Sequence, residues 1–142
     1  MEWPPRQPAR EYFATISACV HKLAALDWVI ANDGEIWMLQ REPDSKPAHP
    51  DPTASRAMGN VSRVEMARAE RDDLVERIGA CGEFIAKIDA VLGNGVGEVL
   101  EHRYIDCWTW QRIAEVTGIP ERSCYARRDY ACDYIDDCRL LY

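Results

Sequence analysis

At 142 residues, with a 47% apolar fraction and a net charge of −7, the chain has the size of one domain, or of one small domain on a helical stalk, and is too apolar for wholesale disorder. No run of about 18 apolar residues occurs, and the start MEWPPRQPAR lacks a signal-peptide core, so no membrane association is expected and a cytoplasmic location follows. The six cysteines (Cys19, Cys81, Cys107, Cys124, Cys132, Cys138) form no C-x2-C pair, and His21, His49 and His102 stand at no ligand spacing from them; reduced thiols on apolar helical faces are expected rather than disulfides or zinc.

Residues 1–9 carry three prolines and read as an irregular lead-in. From Arg10 to about Ala31, Phe13, Ile16, Val20, Leu23, Asp27 and Ile30 recur by threes and fours, with Tyr12, Cys19 and Leu26 widening the stripe, which predicts a helix. Asp27 interrupts that seam and either sets its register or sits at its edge. His21 falls on the solvated face. Asn32-Asp33-Gly34 is turn chemistry, and the EIWMLQ that follows fits a helical extension or a short strand equally. Residues 42–60 hold four prolines and no periodicity, and are expected to be an exposed loop connecting two antiparallel helices.

The most regular pattern runs from Val61 to Leu92. Val64, Ala67, Arg71, Leu74, Ile78, Cys81, Ile85, Ile88 and Leu92 alternate three and four apart, the heptad spacing of coiled-coil packing. Ser62 before Glu65 suggests a capping box. This helix is expected to pair with residues 10–31 as a hairpin and also to support self-association. Gly93-Asn-Gly-Val-Gly then hinges the stalk to a C-terminal unit, residues 95–142, in which Val96, Val99, Leu100 and Tyr104 form a first helix and Asp106-Cys107-Trp108 a link.

Thr109 is a good N-cap, and Trp110, Ile113, Ala114 and Val116 make an apolar face at helical spacing. Gly118 sits where the helix must stop, and Pro120 is tolerated at the start of the next one. A second helix follows at once, with Cys124, Ala131 and Ile135 on one side, continued by the CDYIDDCRLLY tail with Ile135, Cys138 and Leu141 apolar. Two short helices joined by a Gly-containing turn form the helix-turn-helix pattern. With the apolar faces buried, Glu121, Arg122, Tyr125, Ala126 and Asp129 remain outside, on the face a recognition helix presents to base edges. The fold class expected is all-α: an N-terminal antiparallel helical hairpin or coiled coil (10–92), then a tri-helical helix-turn-helix module (95–142).

The pattern Tyr104-x4-Thr-Trp-x2-Ile-Ala-x3-Gly-x5-Cys-Tyr, ending in Ala131, resembles region 4 of the sigma-70 family, and in particular its version in phage late-gene transcription regulators of the RinA and ArpU type. The motif covers about a quarter of the chain. Arg112 stands where that family usually has an acid, Cys124 where Val is usual, and Pro120 where Ser or Thr caps the recognition helix. The resemblance implies a phage or prophage regulator in a bacterial host cell, binding double-stranded operator or promoter DNA as a homodimer.

Net charge opposes that reading, because phosphate contacts supply much of the affinity for DNA. The charge is uneven, however: residues 103–130 carry five Arg against four acids, while Asp133, Asp136 and Asp137 gather beyond. Arg122 and Tyr125 are the candidate base contacts, alongside Glu121 and Ala126 on the same face; Arg127, Arg128 and Arg112 are candidate phosphate contacts. Trp110 reads as core rather than a stacking platform, and Trp108 fits either role. No nucleophile–base pair, matched carboxylates or phosphate-cradling loop is evident, so no enzyme and no cofactor is expected. Two other functions remain open: a protein-interaction module that engages RNA polymerase or another phage protein through acidic surface, and a DNA-packaging component like a small terminase subunit.

Overall fold

The computed structural model describes residues 6–32 and 52–141, and within 52–62 the backbone alone. The lead-in before Arg6, the Asp33-Gly34 turn, residues 35–40 and the loop residues 42–51 lie outside the described residues. The protein is all-helical: no strand occurs among the described residues. The helices are α1 (Ala9–Ala31), α2 (Pro52–Leu92), α3 (Val96–Leu100), which continues as a π-helical turn over Glu101–Ile105, α4 (Trp110–Thr117) and α5 (Glu121–Asp137).

The loop expected to run to Asn60 is shorter than that, because α2 begins at Pro52. Proline suits a first helical position, where its missing N–H would have had no partner. Ser62 therefore lies well inside the helix and cannot cap it. At α1 the expected stripe holds at its start, with Tyr12, Phe13, Ile16 and Cys19 buried. This helix is also long and apolar enough, by length and composition, to cross a membrane, its best window having a mean hydropathy of 1.4. A search for an unbroken apolar run overlooks that, and core helices meet the same criterion.

The chain divides into two compact units, Met1–His21 with Glu76–Tyr142, and Lys22–Val75. The divisions fall inside α1 and α2 rather than at the Gly93 hinge. The physical reason in the first unit is a shared core. Tyr12, Phe13 and Ile16 of α1 join Cys81, Ile85 and Ile88 of α2, Leu100 of α3, Tyr104 of the π-helical turn, and Ala131, Cys132 and Ile135 of α5 in one apolar cluster. Phe13 stacks on Tyr104 at 5.1 Å and 17°, and Tyr12 meets Phe84 edge-on at 5.8 Å. The C-terminal tail closes the cluster: Leu141 is buried in it, and its carbonyl accepts the Gln7 N–H at 3.1 Å. Cys138, expected on the apolar side, is instead exposed, because the helix ends there with Cys138 as C-cap.

In the second unit Ala67 and Leu74 are buried, and Lys22 pairs with Glu70. Asp27, the interruption in the α1 seam, accepts from Nε of Arg71, the interruption in the α2 seam. A charged pair set within apolar stripes specifies alignment more than it adds stability, since both partners are partly exposed.

The turn between α2 and α3 depends on one close approach. Asp89 Oδ1 accepts the Gly97 N–H at 3.0 Å, serving an otherwise unpaired donor at the start of α3. A Cβ at Gly97 would lie 2.5 Å from Asp89 Cβ. Gly97→Ala should therefore cost about 1–3 kcal/mol through overpacking. A lower urea midpoint at unchanged m-value would register it, and an unaltered midpoint would show that the turn relaxes freely.

Candidate nucleic-acid interface

The site is built on α4 and α5. Thr109 Oγ1 accepts the Arg112 N–H at 3.2 Å and so caps α4. Gly118 ends it at φ 74° with its N–H on the Ala114 carbonyl, a left-handed conformation that glycine adopts without steric cost. Thr117 Oγ1 donates to the Ile113 carbonyl at 2.6 Å and accepts the Ile119 N–H at 3.2 Å, which fixes the turn. Pro120 stands at the N-cap of α5 and supplies no side-chain cap. A small second core of Val99, Ile113 and Cys124, flanked by Trp108, Trp110 and Ile119, holds the two helices together. Burial pushes the Cys124 thiol up, against the opposing charge of Arg127. Val116, expected on the buried face, is 58% exposed; α4 is too short, and ends too soon, for its last turn to be covered.

With Cys124 locked inward, Glu121, Arg122, Tyr125 and Ala126 all stand on the exposed side of α5. The Tyr125 hydroxyl reaches Glu121 Oε1 at 3.4 Å, and its ring leans on Trp110 at 4.5 Å. Arg112 is exposed on α4, its guanidinium 4.4 Å above the Trp108 ring. The remaining two residues are drawn inward. Arg127 is half-buried, with Nη1 shielded and without a hydrogen-bond partner. Arg128 Nε donates to Asp129 Oδ1 at 2.7 Å, and its guanidinium lies 5.1 Å from the Trp110 ring centre. Burial works against the Arg128 charge, but Tyr104 and Asp129 outweigh it and hold the guanidinium above its ordinary pKa. Arg128 is thus a charged structural clamp rather than a free surface cation.

Sequence reasoning missed the partners of these arginines. Arg103 lies 4.7 Å over Trp110 and donates from Nη1 to the Trp108 carbonyl at 3.0 Å. His102 stacks on Trp108 at 4.2 Å and 4°, with Nδ1 2.7 Å from Asp106 Oδ2. Trp110, read as core, is half-buried and works as the hub of a cation–aromatic cluster with Arg103, Arg128 and Tyr125. Such contacts contribute on the order of 0.5–1 kcal/mol each where solvent reaches them. The π-helical turn over Glu101–Ile105 is what the sequence hid: its extra residue per turn shifts every side chain after it relative to a 3.6-residue period.

No protein-family model, curated protein or solved structure matches the chain. Three acids of α5 have partners on α1. Asp136 Oδ1 accepts the Ala9 N–H at 2.8 Å, placing a carboxylate at the positive end of α1. Arg10 reaches Asp129 and Asp133, each at 3.4 Å. The exposed end of α5 carries Arg122 and Tyr125 together with one carboxylate, Glu121.

Proposed function

We propose that the chain is a DNA-binding transcription regulator of the phage RinA or ArpU type, acting in the bacterial cytoplasm. In this reading α4 and α5 are a helix-turn-helix like sigma-70 region 4, α3 with its π-helical turn completes a tri-helical module, and α1 and α2 form an antiparallel hairpin that also dimerises. The observation that carries it is the exposed row Glu121, Arg122, Tyr125 and Ala126 on a helix whose opposite side is locked by Cys124. A helix held in this way offers its first turns to the major groove. Arg122 there would donate two hydrogen bonds to guanine O6 and N7. Arg112 serves the phosphate backbone, and Arg103 and Arg128 stiffen the module from within. Two protomers would read half-sites about one helical turn apart.

The second reading is a protein-interaction module that engages RNA polymerase or another phage protein, or a small-terminase-like packaging component. The net charge of −7 favours it. The engagement of Asp136 by the Ala9 N–H reduces that acidic surface, while Asp129 and Asp133 stay 47% and 65% exposed beside Arg10.

A gel shift on sheared phage DNA with competitor, at low and moderate salt, separates the readings. Specific retention that falls as salt rises is expected. Arg122→Ala should weaken that retention by about 1–3 kcal/mol; unchanged affinity removes Arg122 from the site. No retention at low salt sinks direct DNA binding, and a ring-sized oligomer in solution favours packaging over regulation.

A further inference from the structure

A cavity of about 410 Å³ opens between the α2–α3 turn and the flank of α5, lined by Leu92, Asn94, Val96, Ala126, Arg127 and Tyr130. Leu92, Val96 and Ala126 supply apolar walls; Asn94, Arg127 and Tyr130 supply the polar groups. Among the described residues no carboxylate lines it. Small-molecule sites typically run from about 300 to 1,000 Å³ and combine mostly apolar walls with a few polar groups that orient the ligand. This cavity matches that description in size and mixed lining, and it is open to solvent, with Asn94, Ala126 and Tyr130 exposed.

One nitrogen of its cation, Arg127 Nη1, is shielded from solvent and has no hydrogen-bond acceptor among the described residues. An orphaned donor on a charged group is costly to a fold, and the native state normally supplies a partner. Arg128, the next residue, has both a carboxylate and an aromatic face, so Arg127 differs from its neighbour in this. Arg127 lines the cavity with its Nη1 shielded from it, so a turn of the guanidinium is needed to present that donor to an anion there, where Tyr130 and Asn94 could add a hydroxyl and an amide.

We infer that this cavity is a binding site for a small organic anion, a flat apolar body carrying a carboxylate, phosphate or sulfonate that pairs with Arg127. A bare DNA phosphate fits it poorly, because it brings no apolar surface to set against Leu92, Val96 and Ala126. The site shares Ala126 with the exposed row of α5 but not Arg122, and it does not depend on the chain binding DNA.

The test is a fluorescence titration of the intact chain with 8-anilinonaphthalene-1-sulfonate, an apolar ring system bearing one anion, and with its neutral analogue N-phenyl-1-naphthylamine. The expected result is saturable binding of one sulfonate probe per chain. Arg127→Met should weaken it about tenfold or more, the loss of one charge-assisted hydrogen bond. Ala126→Trp, which fills the cavity and keeps the arginine, should abolish binding, and Arg122→Met should leave it unchanged. The neutral probe should be indifferent to Arg127→Met. Circular dichroism melts establish that each variant is folded, and if Arg127→Met is not, Ala126→Trp carries the test. Equal sulfonate affinity in wild type and Ala126→Trp, or absence of a saturable site, overturns the proposal. So does the absence of probe binding with DNA retention lost in Arg127→Met, which would assign the arginine to the DNA backbone.

Discussion

Phe13→Ala should lower the unfolding free energy of the first unit by about 3–5 kcal/mol, the cost of emptying a closed aromatic site. Phe13 is fully buried. Its ring stacks on Tyr104 and meets Tyr12 at 5.3 Å, so two aromatic rings, one from α1 and one from the π-helical turn, lose their common contact. Neighbouring Cys81, Ile85 and Ile88 stand on a helix and cannot collapse far into the void. The effect should reach well beyond α1. Amide hydrogen exchange at Ala131–Ile135 should lose protection in step with α1, because Ala131, Cys132 and Ile135 share that cluster. Loosening of α1 with unchanged exchange in α5 would mean that the start of α1 and the C-terminal helices are separate cooperative units.

That shared core marks the boundary of what local pattern can reveal. The heptad positions Ala67, Leu74, Cys81, Ile85 and Ile88 are buried as their spacing requires, and Thr109 and Gly118 sit at the two ends of α4 with capping geometry set by side-chain chemistry. These are short-range signals. The Ala9–Asp136 and Arg10–Asp133 contacts join residues 127 and 123 positions apart, and no periodicity encodes them. The start of α2 was hidden for another reason: a cluster of prolines resembles a loop by composition, while a single proline at Pro52 is compatible with a first helical turn.

The site divides in the same way. The exposure of Arg122, Tyr125 and Ala126 follows from the inward position of Cys124, which spacing predicts. The fates of Arg127 and Arg128 do not follow, because both are adjacent arginines on one helix with the same intrinsic preferences. What separates them is tertiary: Arg128 meets Trp110, Tyr104 and Asp129, and Arg127 meets the cavity wall. The cation–aromatic cluster was equally out of reach, since Trp108 and Trp110 meet His102 and Arg103 only through the π-helical turn.

Raising the pH from about 8 to about 11 should destabilise the first unit, on the order of 5 kcal/mol in all, through two thiols that the fold keeps protonated. Burial pushes Cys81 up to about 11, against the hydrogen bond from Tyr12. Burial likewise pushes Cys132 up to about 11, although Arg10 and Arg128 pull the other way. Both thiols have an ordinary value of 9.0 and are fully buried. In the unfolded chain they ionise near that ordinary value, while in the folded chain they hold their protons until about pH 11. Between the two values the unfolded state binds fewer protons than the folded state, so stability falls as pH rises; below pH 9 the contribution is level. Burial also raises the Tyr12 hydroxyl, and its ionisation in the unfolded chain adds to the same slope. Urea midpoints across this range measure the effect. A Cys81→Ala, Cys132→Ala double variant separates it from the general repulsion of an acidic chain. The variant should be less stable at pH 8 through lost packing, yet should lose less of its stability by pH 11. An identical slope in both proteins would assign alkaline unfolding to net charge and leave the thiols no part in it.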